Sequence, residues 1–226
     1  MKKIIPLLAL LMVVGMNTAI GADADAKLQE LRTVAPPVKQ SIEEIAAQFK
    51  IGQTHYYNKE YAEAYKIWKL AADANILEAY NNLGYHTYYG LGVEQNPQEG
   101  IRLWQIAANN GFAESQIHLS DAYFDGYVFP KDLIEAYAWA KAAAYFADMV
   151  GDNELRKTFK HDSKKLIEKY SKKLSWNTAK QAEDRAQSLI ATISETIKTT
   201  PYIRLFSIPK SKSPTLPVPN RVRGEK

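Results

Sequence analysis

Residues 100–108 read GIRLWQIAA, and the same outline stands 36 residues away on either side, as AYKIWKLAA at 64–72 and AYAWAKAAA at 136–144. Each stretch opens on alanine or glycine and closes on paired alanines. Trp68 and Trp104 hold the same place in it, and Trp139 falls one residue out of step. Large and small side chains alternated in this way fill the space between stacked helices. A chain that writes one helix three times at a fixed period is a repeat protein, and the rest of the sequence is read from there.

Helical periodicity runs from near Ser41 to about Lys198, and no stretch alternates as a strand would. GLGVEQNP at 90–97 and GYVFPKD at 126–132 carry the glycine and proline that stop one helix and start another. A small residue also recurs on the helix before each of the three stretches. Gly84 lies 16 residues before Gly100, Ser120 lies 16 before Ala136, and Gly52 lies 12 before Ala64, so the first repeat has a loop shorter by four residues. Such a residue marks where the second helix of a pair crosses the first, because a side chain there would hold the backbones apart. The predicted fold is all-α, a right-handed α-solenoid of about three helix-pair repeats over residues 41–150 with C-terminal capping helices over 151–198.

The stretch LGYHTYYGLGVEQNPQEGIRLWQIAANNGFAES at 83–115 resembles a Sel-one-like repeat, through Leu83, Gly84, Gly90, Gly92, Val93, Trp104, Ala107, Ala108 and Gly111. LSDAYFDGYVFPKDLIEAYAWAKAAA at 119–144 resembles a second copy, keeping Leu119, Tyr123, Gly126, Asp132, Ala136, Trp139, Ala143 and Ala144. Gly52, Ala64 and Trp68 mark the first repeat, whose shorter loop is closer to a tetratricopeptide unit. Departures stand at Thr87, Asn96, Ser120 and Val128, where the pattern has tyrosine, aspartate and glycines. The resemblance implies a scaffold that binds other proteins or peptides, often in bacterial envelope or host-interaction settings.

Outside the repeats, the first 24 residues, MKKIIPLLALLMVVGMNTAIGADA, have the layout of a secretory signal: two lysines, an apolar run from Ile4 to Val14, then small residues. Residues 1–22 are read as the signal peptide and 23–40 as a linker. The expected location is periplasmic or secreted, with no stable transmembrane segment after cleavage. From Asn153 to Lys173 a lysine-rich helix keeps Leu155, Phe159, Leu166, Ile167 and Tyr170 on one side, and a further helix from Trp176 has Ser175 as its N-cap. Both are read as closing the end of the solenoid. Residues 199–226 read as a basic, proline-rich, disordered tail, so truncation after Thr200 is expected to leave stability nearly unchanged.

No catalytic motif appears, and the expectation is a protein that is not an enzyme and has no cofactor. The sequence has no cysteine, and its four histidines, His55, His86, His118 and His161, fall one per repeat or helix without metal-ligand spacing, so no metal site is expected. Residues 41–148 hold 7 Lys and Arg against 14 Asp and Glu, whereas 154–226 hold 17 against 7. The basic half is read first as a solvated face and second as a surface for anionic lipid, glycan or an acidic protein. Nucleic acid is not an expected partner, since export removes the usual target and 12 of 14 tyrosines lie between 56 and 145, in the repeats.

The expected partner is a protein or peptide, with an envelope or cell-wall enzyme among the candidates; the alternative is a peptidoglycan binder or regulator of a cell-wall enzyme. In a helix-pair solenoid the first helix of each pair lines the concave side. Leu83 and Gly84 face the second helix, which leaves Glu78, Asn81, Tyr85 and Tyr88 along another stripe. By register the stripe continues through Phe49, Gln53 and Tyr56 before it and Glu114, Ile117, Asp121 and Phe124 after it, with Asp125 beside them. Aromatic rings mixed with carboxylates and amides are the blend binding surfaces use.

Overall fold

In the computed structural model, which describes residues 41–205, every helix ends or begins for a local reason. The signal-like segment, the linker up to residue 40 and the tail beyond Leu205 lie outside the described residues. Helix α1 (Ile42–Tyr57) and α2 (Tyr61–Asp73) are joined by a tight turn with Lys59 at positive φ. Helix α3 (Leu77–Tyr89) stops on Gly90 and α5 (Ala113–Asp125) on Gly126, both left-handed, at φ 72° and 73°, where a side chain is costly. Helix α4 (Pro97–Asn109) opens with Asn96 accepting from the Glu99 amide, so the asparagine caps as the usual aspartate would. Asp132, Asp152 and Ser175 cap α6 (Leu133–Phe146), α7 (Asn153–Ser171) and α8 (Trp176–Thr199) in the same way. Among the described residues there are eight α-helices and no strand.

The helices pack in consecutive pairs, α1 with α2, α3 with α4 and α5 with α6, and each pair stacks on the next, which makes the molecule an all-α solenoid. The crossing inside each pair depends on the small residue and tryptophan together. A Cβ added to Gly84 would stand 2.5 Å from Trp104 Cδ1 and 3.0 Å from the Gly100 carbonyl oxygen, and one on Gly52 would stand 2.7 Å from Trp68 Nε1. The space left by the missing side chain lets each indole reach the facing backbone. Trp104 Nε1 donates to the Asn81 carbonyl at 3.2 Å and Trp68 Nε1 to the Phe49 carbonyl at 3.4 Å, each three residues before its glycine.

The third pair solves the same problem with other residues. Where the register calls for tryptophan stands Ala140, fully buried, and the room it leaves admits the Ser120 side chain. Ser120 Oγ donates to the Ala136 carbonyl at 2.7 Å, so the buried hydroxyl is satisfied. Trp139, one residue out of step, joins a different cluster with Trp104, Phe146, Ala186 and Leu189.

Helix α6 explains why two more helices follow. Its buried residues, Ala136, Ala138, Trp139, Ala140, Ala142, Ala143 and Phe146, run around most of its circumference, and a helix apolar on all sides must be covered on all sides. Ala136, Ala140 and Ala143 meet α7 through Phe159, Leu166 and Tyr170, whereas Ala138, Ala142 and Phe146 meet α8 through Ala186, Leu189 and Ile193. The two capping helices therefore differ. Helix α7 closes the end of the last pair, and α8 runs back over α6 as far as the α4–α5 turn, where Ile197 lies against Gly111. Arg185 pairs with Glu135, and Tyr137 donates to Glu183 at 3.0 Å, fixing α8 on α6 from the polar side.

The segment after α8 corrects the expected tail at its start. Helix α8 continues to Thr199, and residues 201–205 dock on the start of α3 instead of entering solvent. Ile203 makes a parallel bridge with Ile76: its amide donates to the Asn75 carbonyl and its carbonyl accepts from the Leu77 amide, both at 2.9 Å. Tyr202 lies edge-on to Tyr80, with ring centroids 5.6 Å apart, against Leu77, Ala107 and Phe112. The Arg204 guanidinium donates to the Asn110 carbonyl beside the buried Glu78. The reason is compositional: Tyr202, Ile203 and Leu205 form a short apolar patch that packs on the clusters beneath the start of α3. There the Leu77 amide, left without an intrahelical partner, donates to the Ile203 carbonyl.

Candidate functional site

Helical register decides which residues of α1, α3 and α5 can reach a partner. Phe49, Asn81 and Ile117 share one register position, and all three are buried: Phe49 against Trp68, Ile117 in the cluster of Ala136, Ala140 and Phe159, and Asn81 against the start of α5. Asn81 is a structural joint. Its Nδ2 donates to Glu114 Oε2 at 3.1 Å, its Oδ1 accepts from Ser115 Oγ at 2.7 Å, and its carbonyl takes the Trp104 indole. Glu78 is also buried and faces the basic Arg204 of the chain's own C-terminal segment. Asn81 and Glu78 are therefore withdrawn from the partner surface, because one stripe at helical spacing spans both the face toward solvent and the face toward the next repeat.

The other residues of the stripe are half-buried or exposed. Tyr56 sits in a ring of aromatics, 5.5 Å from His86, 6.0 Å from Trp68 and 6.4 Å from Tyr85. Tyr85 packs 4.7 Å from Tyr89 and 5.9 Å from His118, whose ring stacks on Trp104 at 4.5 Å. Tyr88 lies 4.9 Å from Trp104. Gln53 is half-buried on α1, one turn before Tyr56 and Tyr57. Asp121 accepts from the Tyr170 hydroxyl at 3.2 Å, and Phe124 stacks on Tyr170 at 4.9 Å beneath Lys169, 3.7 Å above its ring. Asp125 is exposed at the end of α5; burial raises the pKa of Tyr88, and the Asp125 charge adds to it. Tyr56, Tyr85 and Tyr88 thus come together as one aromatic wall, while Asp121 and Phe124 belong to the contact with α7.

Two rings on this wall that periodicity did not select are the most open: Tyr57 and Tyr89, each 42% exposed. Both lie one residue beyond a position of the stripe, at the helix ends, where the chain leaves the packed face. Near them stands a carboxylate in an unusual state. Burial pushes the Glu114 carboxyl up to about 7, the hydrogen bond from Asn81 opposes the shift, and the negative charge of Asp162 on α7 adds to it. Burial raises the pKa of Tyr57 and Tyr85, and the Glu114 charge adds to the shift of each. Four elements, α1, α3, α5 and α7, thus converge on an acidic, aromatic surface. Asp162 carried no signal in the repeat pattern, because it comes from a helix outside the repeats.

Behind this wall His86 is fully buried among Tyr56, Tyr61, Tyr65 and Trp68. Its Nδ1 bonds the Leu91 carbonyl at 2.8 Å, and burial lowers its pKa to about 4. His86 therefore stays neutral and ties α3 to the following loop. Its stabilising contribution is full above its unfolded pKa of 6.5 and is lost as pH falls through about 4. Glu114 works in the opposite direction. Because its folded pKa lies above its ordinary 4.5, stability falls as pH rises through about 7. Between pH 6 and 8 the protein should lose about 1 kcal/mol from this group, and Glu114→Gln should remove that loss and leave the opposite slope of His86. Denaturant midpoints across that interval provide the check, and identical slopes for both proteins would remove Glu114 as the cause.

Among the described residues no group of three or more His, Cys, Asp or Glu is placed to hold a metal ion, and no helix is long and apolar enough to cross a membrane. Residues 77–112 and 113–145, which together span α3 to α6 apart from the last residue of α6, match the Sel1 repeat. No curated protein matches the chain. Among solved structures, the chain is similar to a protective antigen present in uropathogenic Escherichia coli strains that displays an SLR fold, at 21% identity and a TM-score of 0.55. That likeness covers 78% of this chain but 35% of the antigen, and it concerns the fold alone. A Sel1 repeat protein from Oxalobacter formigenes is similar at 20% identity over 77% of this chain and 81% of that one, with a TM-score of 0.46. Sel1 repeat proteins generally mediate protein–protein interaction, and their fold is typically a non-catalytic scaffold.

Proposed function

From the premise that α3 to α6 match a pair of Sel1 repeats, we propose that the chain is an exported scaffold that holds a protein or peptide partner on the face built by α1, α3, α5 and α7. The observation that carries this reading is the pair of exposed rings Tyr57 and Tyr89, the second packed on Tyr85 and the first in the field of the Glu114 carboxylate, which in turn feels Asp162. Exposed aromatic area beside like charges is a poor design for a solvated face and a good one for a partner with basic and apolar side chains. A cation delivered between Glu114 and Asp162 favours the ionised carboxylate, so capture near pH 7 should release a proton. The export part of the proposal rests on the layout of residues 1–24, and a periplasmic form lacking the first 22 residues is its mark.

The test is partner capture from bacterial envelope extract by wild type and by the double variant Tyr57→Ala/Tyr89→Ala. Both rings are exposed, so the fold should survive their loss. Affinity for the captured protein should fall at least tenfold, about 1.4 kcal/mol. Equal capture by a folded double variant would move the binding site off this face. Retention by bare cell-wall material without any protein partner would favour the peptidoglycan reading instead.

A further inference from the structure

The chain holds four tryptophans. Trp68, Trp104 and Trp139 are 3%, 2% and 6% exposed, as residues of a core should be. Trp176 is 82% exposed, the largest exposure among the described large hydrophobic residues. Its position does not require an indole. It is the first residue of α8, the N-cap is provided by Ser175 Oγ accepting from the Thr178 amide, and α8 is anchored on α6 only further along, from Ala182 onward.

The residues around Trp176 share one character. Between 164 and 180 the chain carries Lys164, Lys165, Lys169, Lys172, Lys173 and Lys180 against the single carboxylate Glu168. All six lysines are exposed. Elsewhere on α7 lysines are neutralised: Lys157 pairs with Glu154 at 2.9 Å and Lys160 with Asp148 at 2.5 Å. Lys172, Lys173 and Lys180 make no ion pair among the described residues. Lys180 lies one helical turn beyond Trp176 and so on its side of α8. Lys172 and Lys173 end α7 just before the turn. The elbow between α7 and α8 is thus a cationic tip that leads with an indole.

We propose that this elbow docks the protein on an anionic lipid surface. The chemistry is specific on two counts. An indole, apolar in body with a polar N–H, is the side chain that settles at the boundary between headgroups and acyl chains, and lysine stems reach along such a boundary with their ammonium groups in water. Clustered lysines also gain from the negative potential of an anionic leaflet, within a screening length of it. The elbow projects: Lys172, Lys173, Ser175, Trp176 and Asn177 are all exposed, so it offers a tip that enters an interface and no cleft that encloses a chain. The acidic face described above is built from α1, α3, α5 and Asp162 of α7, and the elbow lies beyond the end of α7, so a partner and a membrane engage different residues.

The test uses the full chain, with the same terminal segments in every variant, and vesicles of phosphatidylcholine with or without about a third phosphatidylglycerol. Because the other tryptophans are buried, a blue shift of emission on adding vesicles reports Trp176. Wild type should partition at least tenfold more strongly onto the anionic vesicles, with a blue shift, and high salt should reverse both. Lys172→Glu/Lys173→Glu should lose at least tenfold in partitioning. Trp176→Ala should lose the blue shift and several-fold in binding. Circular dichroism checks that both variants stay folded. Wild-type partitioning that is indifferent to phosphatidylglycerol, or unchanged in both variants, would overturn the proposal. A blue shift produced by soluble polyglutamate and not by vesicles would also overturn it, and would assign the elbow to an acidic protein.

Discussion

Leucine in place of Gly84 should lower stability by about 3 kcal/mol or more, a fall in Tm of about 6–12 °C for a protein of this size. A Cβ alone would come within 2.5 Å of Trp104 Cδ1 and 3.0 Å of the Gly100 carbonyl oxygen, and leucine adds three further carbons to that clash. The helices must separate, and the Trp104 indole then loses its bond to the Asn81 carbonyl. Asn81 also holds Ser115 and Glu114, so the damage passes to the next pair. Gly52→Leu should act similarly through Trp68, and Ser120→Gly should be mild, since Ala140 stands at the equivalent of the tryptophan. Denaturant unfolding of the three variants ranks them, and an unchanged midpoint for Gly84→Leu would place the crossing elsewhere.

Ending the chain after Thr200 should cost about 3 kcal/mol, where the sequence alone predicted almost none. The loss has two parts. Tyr202, Ile203 and Leu205 uncover Leu77, Ile76 and their neighbours, and the Leu77 amide loses its acceptor. Buried Glu78 loses the positive charge of Arg204, and a buried charge stripped of its opposite is strongly unfavourable. Glu78→Gln should therefore recover part of the stability of the shortened chain while destabilising the complete one. A double-mutant comparison by chemical denaturation reads this coupling. If both backgrounds respond to Glu78→Gln alike, Arg204 is not what balances Glu78.

The repeats were legible because their determinants are local and repeated: glycine beneath tryptophan in two pairs, paired alanines, left-handed glycines at 90 and 126, and polar caps at 96 and 132. The candidate site was legible in part. Helical spacing brought out Tyr56, Tyr85 and Tyr88, but it also selected Glu78 and Asn81, because spacing defines a stripe and not what covers it. Tyr57, Tyr89 and Asp162 were missed for the complementary reason: their place on the surface depends on where helices end and on how a non-repeat helix packs. The docking of 201–205 left little trace in the sequence, since a short apolar patch in a polar stretch finds its partner only once α8 has run back along the solenoid.

That return path changes how the molecule comes together and comes apart. An open solenoid folds from any point and can fray from its ends, since each unit meets only its neighbours. Here residues 182–197 cover the second helices of two pairs and 201–205 seal the start of the second pair, so late-synthesised chain completes early-synthesised structure. Contacts between segments so distant in the chain slow the closing step and bind the ends into one cooperative unit. During synthesis the alanine face of α6 stays uncovered until α8 has emerged, and that interval is the one in which the nascent protein is most exposed to aggregation.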